Sequence, residues 1–315
     1  MTSYQSDKFA GSVKALIIGK HGQLARSLVD TAPRYIELLS LARSDINLLD
    51  LSDIEKVIEK VIEKFKPDVV INASGYTDVE GAESDAISAF SINETGVENI
   101  ATVTSKTNIR LIHISSDFVF DGTSKQPYTT NDTPNPLSVY GASKLAGERA
   151  LTRLQPNNSS IVRTSWLYSP YGNNFVKTML TLMAHKESLN VVSDQIGRPT
   201  HAKGLAHFIW QLTILEKLAP IYHWCDLGTT SWYEFAIEIQ NIGLNLGLLT
   251  RKIPITSIPS VDYPSNVERP KYSALDTSNS LSILAAKDWR EELTCCMQKV
   301  RKERLTKARL AFLRC

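Results

Sequence analysis

The chain has 315 residues, 43% of them hydrophobic and 22% charged, and a formal net charge of +2. That composition belongs to a globular protein with a sizeable core, built as one large domain or two unequal ones. With no long basic block before the last turns, nucleic acid is not an expected partner; with no signal peptide or bilayer-length apolar run, a cytoplasmic protein without a membrane span is expected.

Residues 1–12 read as a disordered lead-in. VKALIIG (Val13 to Gly19) is short, apolar and β-branched, as a buried parallel strand should be. It runs into GKHGQLARSLVD, where Gly19, Gly22 and Ala25 form a GxxGxxA pattern between a strand and a helix. In that context the glycines permit a tight turn and a close backbone approach to a pyrophosphate, and the helix N-terminus supplies N–H groups. His21, inside this loop, reads first as a solvent-facing residue. The second strand, Tyr35 to Arg43, ends without the acidic residue that would bond a ribose 2′-OH, and Arg43 suits a 2′-phosphate. NADPH is therefore the expected cofactor, with NADH admitted.

IEKVIEKVIEKF is an amphipathic helix whose apparent repeat is helical periodicity. DVVINASG is the next buried strand, and its small-residue end, Asn72 to Gly75, would let a cofactor lie against the backbone. A long helix follows from Ala86 to Asn108, and Leu111 to Ser115 is the fourth strand. This alternation predicts an α/β fold with a doubly wound parallel sheet, a Rossmann fold. Ser159 to Tyr168 is read as one further strand. The less regular remainder, with helices, short strands and a Pro-rich tract from Ile253 to Pro270, fits a smaller substrate-binding lobe. The expected division is 13–165 for the NAD(P)-binding domain and 166–300 mainly for the substrate lobe, some of whose strands return to the main sheet. The tails are 1–12 and 301–315. Cys225, Cys295, Cys296 and Cys315 lack ligand-like spacing, so disulfides and structural zinc are not expected. The basic end of the chain, including Lys307, Arg309 and Arg314, reads as a solvated helix.

The chemistry concentrates between Leu111 and Glu148. Ser115 and Ser116 stand at a strand end, where open α/β sheets bind ligands, and Tyr140 and Lys144 share a helix face. An ammonium beside a phenol is expected to lower its pKa from about 10 toward the working pH. A poised phenol and a serine hydroxyl are the layout of a carbonyl reductase, although YxxxK alone also arises as a chance surface pair.

Taken together, these features resemble the extended short-chain dehydrogenase/reductase superfamily. The blocks GKHGQLA, NASGYTDVEGAES, ISSDFVFDGT, NPLSVYGASKLAGE, RTSWLYSPYGNNFVKTML, SDQIGRPTHA and ERPKYSALD, in this order, are similar to those of the dTDP-4-dehydrorhamnose reductase family. The resemblance implies NAD(P)H-dependent reduction at C4 of dTDP-4-dehydro-β-L-rhamnose. It makes Tyr140 the proton donor, Lys144 the residue that lowers the phenol pKa and binds the nicotinamide ribose, and Ser116 the group that orients the carbonyl. Gly19, His21, Gly22, Gln23 and Leu24 would hold the pyrophosphate, Asp50 and Leu51 would flank adenine, and Ala73, Ser74, Tyr76 and Ser115 would line the path to nicotinamide. Asp117, Phe118, Trp166, Asn173, Asn174 and Arg269 would meet the nucleotide sugar, with Trp166 packed on the sugar and Arg269 near the diphosphate.

Three departures stand out: Ala25 replaces a third glycine, Phe118 stands where many members have tyrosine, and Ser27 and Lys203 occupy positions where some members bind magnesium through glutamates. No metal is expected here, while a homodimer is left open. The competing readings are a regulatory subunit of the methionine adenosyltransferase type and a reductase of another dTDP- or UDP-linked 4-keto sugar.

Overall fold

The computed structural model describes the backbone of residues 12–312 and side chains up to Thr306. The lead-in up to Gly11, the side chains of Lys307 and Arg309, and Arg314 and Cys315 lie outside the described residues.

Strands β1 (Val13–Ile18), β2 (Ile36–Leu41), β3 (Val69–Asn72), β4 (Arg110–Ser116) and β5 (Ser159–Thr164) form a sheet with a sixth strand, Ile221–His223. The order is Ile221–His223, β5, β4, β3, β1, β2, and every pairing is parallel. Parallel sheets are covered on both faces, and the alternation along β1 shows how. Ala15 and Ile17 pack on the side of helix α1 (Gln23–Thr31) and the helix Ala202–Ile214, while Leu16 and Ile18 pack toward helix α2 (Leu51–Lys64) and the helix Gly96–Lys106. Ala25, the expected third glycine, is fully buried in the first of these clusters, so a methyl group is accommodated there.

A second core lies beyond the sheet. It joins the helices Phe175–His185, Trp232–Asn245 and Trp289–Phe312 through Val176, Leu180, Phe235, Ile239, Trp289 and Met297. Within the Pro-rich tract, Ile255–Ile258 is a strand paired in parallel with Leu189–Val192. The C-terminal helix crosses residue 300 without a break. Among the described residues, no helix is long and apolar enough to cross a membrane.

Two elements differ from the sequence reading. The strand expected over Ser159 to Tyr168 is divided: β5 stops at Thr164, Trp166 adopts φ +46°, and Leu167–Tyr168 pairs instead with Thr200–His201. The long helix expected from Ala86 contains a π-helical turn at Ser91–Thr95. Such turns insert an extra residue into an α-helix and concentrate at functional sites.

Candidate active site

β4 delivers Ser115 and Ser116, both buried, to the C-terminal edge of the sheet, and a 3-10 turn at Asp117–Val119 bends the chain away. Tyr140 and Lys144 lie on the helix Val139–Leu154, whose start is fixed by Ser138 accepting from Gly141 N–H. Two glycines let this helix seat backbone to backbone. A Cβ at Gly141 would stand 2.1 Å from Phe118 O, and one at Gly147 would stand 2.0 Å from Asn93 O. Any side chain at either position would push the helix, and Tyr140 with it, off the sheet edge.

The protonation pattern corrects one expectation. Burial drives the Tyr140 phenol up to about 12, the nearby Asp117 charge adds to the rise, and only the Ser116 hydroxyl opposes it. Lys144 does not lower it in this geometry because its ammonium is directed elsewhere: Nζ donates to Ile114 O at 2.7 Å and lies 3.5 Å from His113 Nε2. Lys144 is itself pushed down to about 8 by burial, with Glu148 opposing. Ser116 donates to Asp117 Oδ1 at 3.0 Å and accepts from Phe118 N–H at 3.2 Å. Burial raises Asp117 to about 6, against hydrogen bonds from Ser273 and Ser116.

The glycine loop fits a dinucleotide. Gly19 has φ +104°, and a Cβ there would stand 2.9 Å from the Ala73 and Ser74 backbone, so only glycine lets β1 turn against the β3 end. Gly22 caps α1 with no side-chain bond and no acidic residue in the first turn, leaving the helix N-terminus to an anion. Leu24 is buried beneath the loop, whereas His21 and Arg43 are exposed. Ser115 Oγ is buried without a partner among the described residues, a donor available to a bound group. Asp50 caps α2 by accepting from Ser52 and Asp53 N–H, beside the exposed Leu51. Ser74 donates to Asn72 Oδ1, and Tyr76 N–H donates to Asn93 Oδ1.

The residues assigned to the sugar are brought near these groups unevenly. The Phe118 ring meets the Tyr140 ring edge-on at 5.6 Å. Asn174 caps the helix Phe175–His185 and donates to Gln23 Oε1, while Gln23 Nε2 donates to the exposed Asn173 at its carbonyl, so the GNNF block is tied to the glycine loop. Trp166 is stacked on Trp232, ring centroids 3.5 Å apart, and its indole also lies against Gly197. Arg269 pairs with Glu80 at 2.7 Å. At the two magnesium-related positions, Ser27 is buried with its hydroxyl on Gln23 O, and Lys203 is exposed. A cavity of about 510 Å³ lined by Arg26, Tyr171, Lys177, Lys299 and Lys302 contains none of the assigned residues.

Several site residues escaped the sequence reading. Asn93, carried inward by the π-helical turn, bonds Tyr76 through both backbone groups and donates to Ser143. His113 bridges Asn72 and Lys144, and Ser273 reaches Asp117. The one signal available was the histidine inside the apolar LIHI stretch of β4.

Comparison with known proteins agrees with this geometry. The model of the RmlD substrate binding domain matches residues 13–302. A dTDP-4-dehydrorhamnose reductase of Aggregatibacter actinomycetemcomitans is 40% identical over 293 residues, covering 89% of this chain and 97% of that protein. The structure of dTDP-4-dehydrorhamnose reductase from Bacillus anthracis in complex with NADP superposes with a TM-score of 0.83 at 32% identity, over 91% of this chain and 99% of that one. A dTDP-4-dehydrorhamnose reductase ortholog from Clostridium acetobutylicum gives 0.83 at 34% identity, over 92% and 100%. The chain belongs to the dTDP-4-dehydrorhamnose reductase family.

Proposed function

We propose that this chain is an NADPH-dependent oxidoreductase that reduces the C4 keto group of dTDP-4-dehydro-β-L-rhamnose to dTDP-β-L-rhamnose, a step of nucleotide-sugar and polysaccharide biosynthesis in the cytoplasm. The observation that carries the reading is the sheet edge itself: the Ser116 hydroxyl faces the Tyr140 phenol, and Gly75, which follows the Ala73–Ser74 backbone against which Gly19 turns, lies beside Lys144 of the same helix. NADPH, held by the glycine loop with Arg43 available to a 2′-phosphate, supplies hydride when bound. As negative charge develops on the C4 oxygen, Tyr140 gives up its proton and Ser116 donates a hydrogen bond. A phenol near 12 is neutral at working pH, which is the form a donor needs. The transfer runs downhill toward an alkoxide, which is a stronger base than the phenolate it leaves behind.

Lys144 anchors the nicotinamide ribose in this reading, its Nζ already held at the sheet edge by Ile114 O. The GNNF block contributes to the site through Gln23, so the same contact serves cofactor and sugar. Trp166 and Arg269 meet the sugar and the diphosphate after exchanging Trp232 and Glu80 for the substrate. A dimer of this chain would have no magnesium bridge at these positions, since neither Ser27 nor Lys203 offers a carboxylate. Light scattering of the purified protein gives the assembly directly.

The experiment is NADPH oxidation with purified protein. Turnover with dTDP-4-dehydrorhamnose, lowered by about 10²-fold or more in Tyr140→Phe, supports the reading. NADPH binding without turnover on any dTDP-linked 4-keto sugar removes it in favour of a regulatory role. Phe118 against Tyr140 favours a second reading, reduction of a related dTDP-4-keto sugar, tested by whether Phe118→Tyr changes the ratio of kcat/KM between the two sugars.

A further inference from the structure

The hydrogen bonds behind Lys144 fix where a histidine proton sits. Ser74 N–H, a donor by necessity, lies 3.1 Å from Asn72 Oδ1, and the Ser74 hydroxyl reaches the same oxygen at 2.5 Å. That sets the Asn72 amide, so its Nδ2 is the group 3.2 Å from His113 Nδ1, which must accept. A neutral imidazole that accepts at Nδ1 carries its proton on Nε2. Nε2 is the atom 3.5 Å from Lys144 Nζ. We propose that His113 is a positioning residue for Lys144: its Nε2–H faces the lysine nitrogen, favours the lone pair of the uncharged amine over the ammonium, and links the Asn72–Ser74 strand end to that amine.

The surroundings agree. His113 is fully buried, and burial with the Lys144 charge keeps its pKa well below the ordinary value, so the ring is neutral. Lys144 is lowered to about 8. Glu148, one turn along the same helix, favours the ammonium, but its carboxylate is held by Arg163 of β5 at 2.6 and 2.9 Å. From the β3 end Lys144 meets Gly75, whose added Cβ would stand 3.8 Å from Nζ, and Asp117 at the β4 end acts on Tyr140 on the same helix. The arrangement makes the residues that line the cofactor path part of what sets the lysine charge.

The inference rests on Lys144 being the catalytic lysine, and its first test does not need turnover. Nitrogen NMR of histidine-labelled full-length protein at neutral pH, with His113→Gln used for assignment, should show a neutral ring protonated at Nε2. A ring protonated at Nδ1, or at both nitrogens, overturns the proposal even if the enzyme is active. The second test is the pH profile of kcat/KM. His113→Leu should move the limb near pH 8 upward by about one unit, the scale of one neutral hydrogen bond. His113→Gln, whose amide N–H stands near the Nε2 position, should keep it in place. Equal loss in both variants with an unmoved limb means that His113 only fills space, and the proposal fails.

Discussion

The floor of the candidate site, Ser115 to Phe118 with the Tyr140 helix, and the aromatic cluster proposed as its wall, Trp166, Phe175, Trp232 and Phe235, are built on opposite principles. On the floor, backbone touches backbone at Gly141 and Gly147, and polar groups are held at short range in a buried setting. Their positions come from packing, and desolvation decides their protonation. In the wall, rings hold one another: Trp166 on Trp232 at 3.5 Å, and Phe175 on Phe235 at 5.6 Å, nearly parallel. A change to the floor is felt as a change in chemistry, and a change to the wall as a change in what fits.

Four measurements press on that contrast. Tyr140→Phe removes the donor and should lower kcat by about 10²- to 10⁴-fold while NADPH affinity stays within a few-fold, read by single-turnover kinetics and fluorescence titration. Gly147→Ala tests whether backbone contact sets the floor: the added methyl overlaps Asn93 O, and denaturant unfolding should report a loss of about 1–3 kcal/mol. An unchanged midpoint would mean that the helix is free to shift. The third measurement concerns Asp117, whose carboxyl is raised by burial from 3.8 to about 6. The folded state then holds a proton that the unfolded chain has released, so its stabilising effect is full below the unfolded value and is lost as pH rises through the folded value. Asp117→Asn should flatten the stability profile across that window, and an unchanged profile would mean that the carboxyl is not desolvated. Trp232→Ala should act on the wall alone, costing about 1 kcal/mol of stacking and shifting the sugar KM several-fold with little change in kcat. A kcat loss as large as that of Tyr140→Phe would erase the distinction.

The sheet and the glycine loop were legible because their signals are local: apolar runs of strand length, and Gly19 and Gly22 between a strand and a helix. The spacing of Tyr140 and Lys144 was legible for the same reason. Their protonation was not, because it depends on groups the fold imports from elsewhere, Asp117, His113 and Ile114 O among them. Nothing in the sequence around Trp166 signals that its ring lies on Trp232, which follows Ser231 in a capping box that reads as an ordinary helix start. The π-helical turn left no trace either. Asn93 satisfies Tyr76 and Ser143 only after the chain between Ala86 and Lys106 is packed.

That turn also sets the phase of the helix it interrupts. Ala89 before it and Val97, Ile100 and Ala101 after it are all buried, so both halves show their apolar side inward only because one extra residue is absorbed between them. Each residue advances a helix by about 100°. Deleting one residue from Ser91 to Thr95 would therefore let an ordinary α-helix run through with both apolar sides still inward, and what it would remove is the bulge that carries Asn93 to Tyr76 and Ser143. The extra residue serves the site through Asn93, while the core would keep its phase without it.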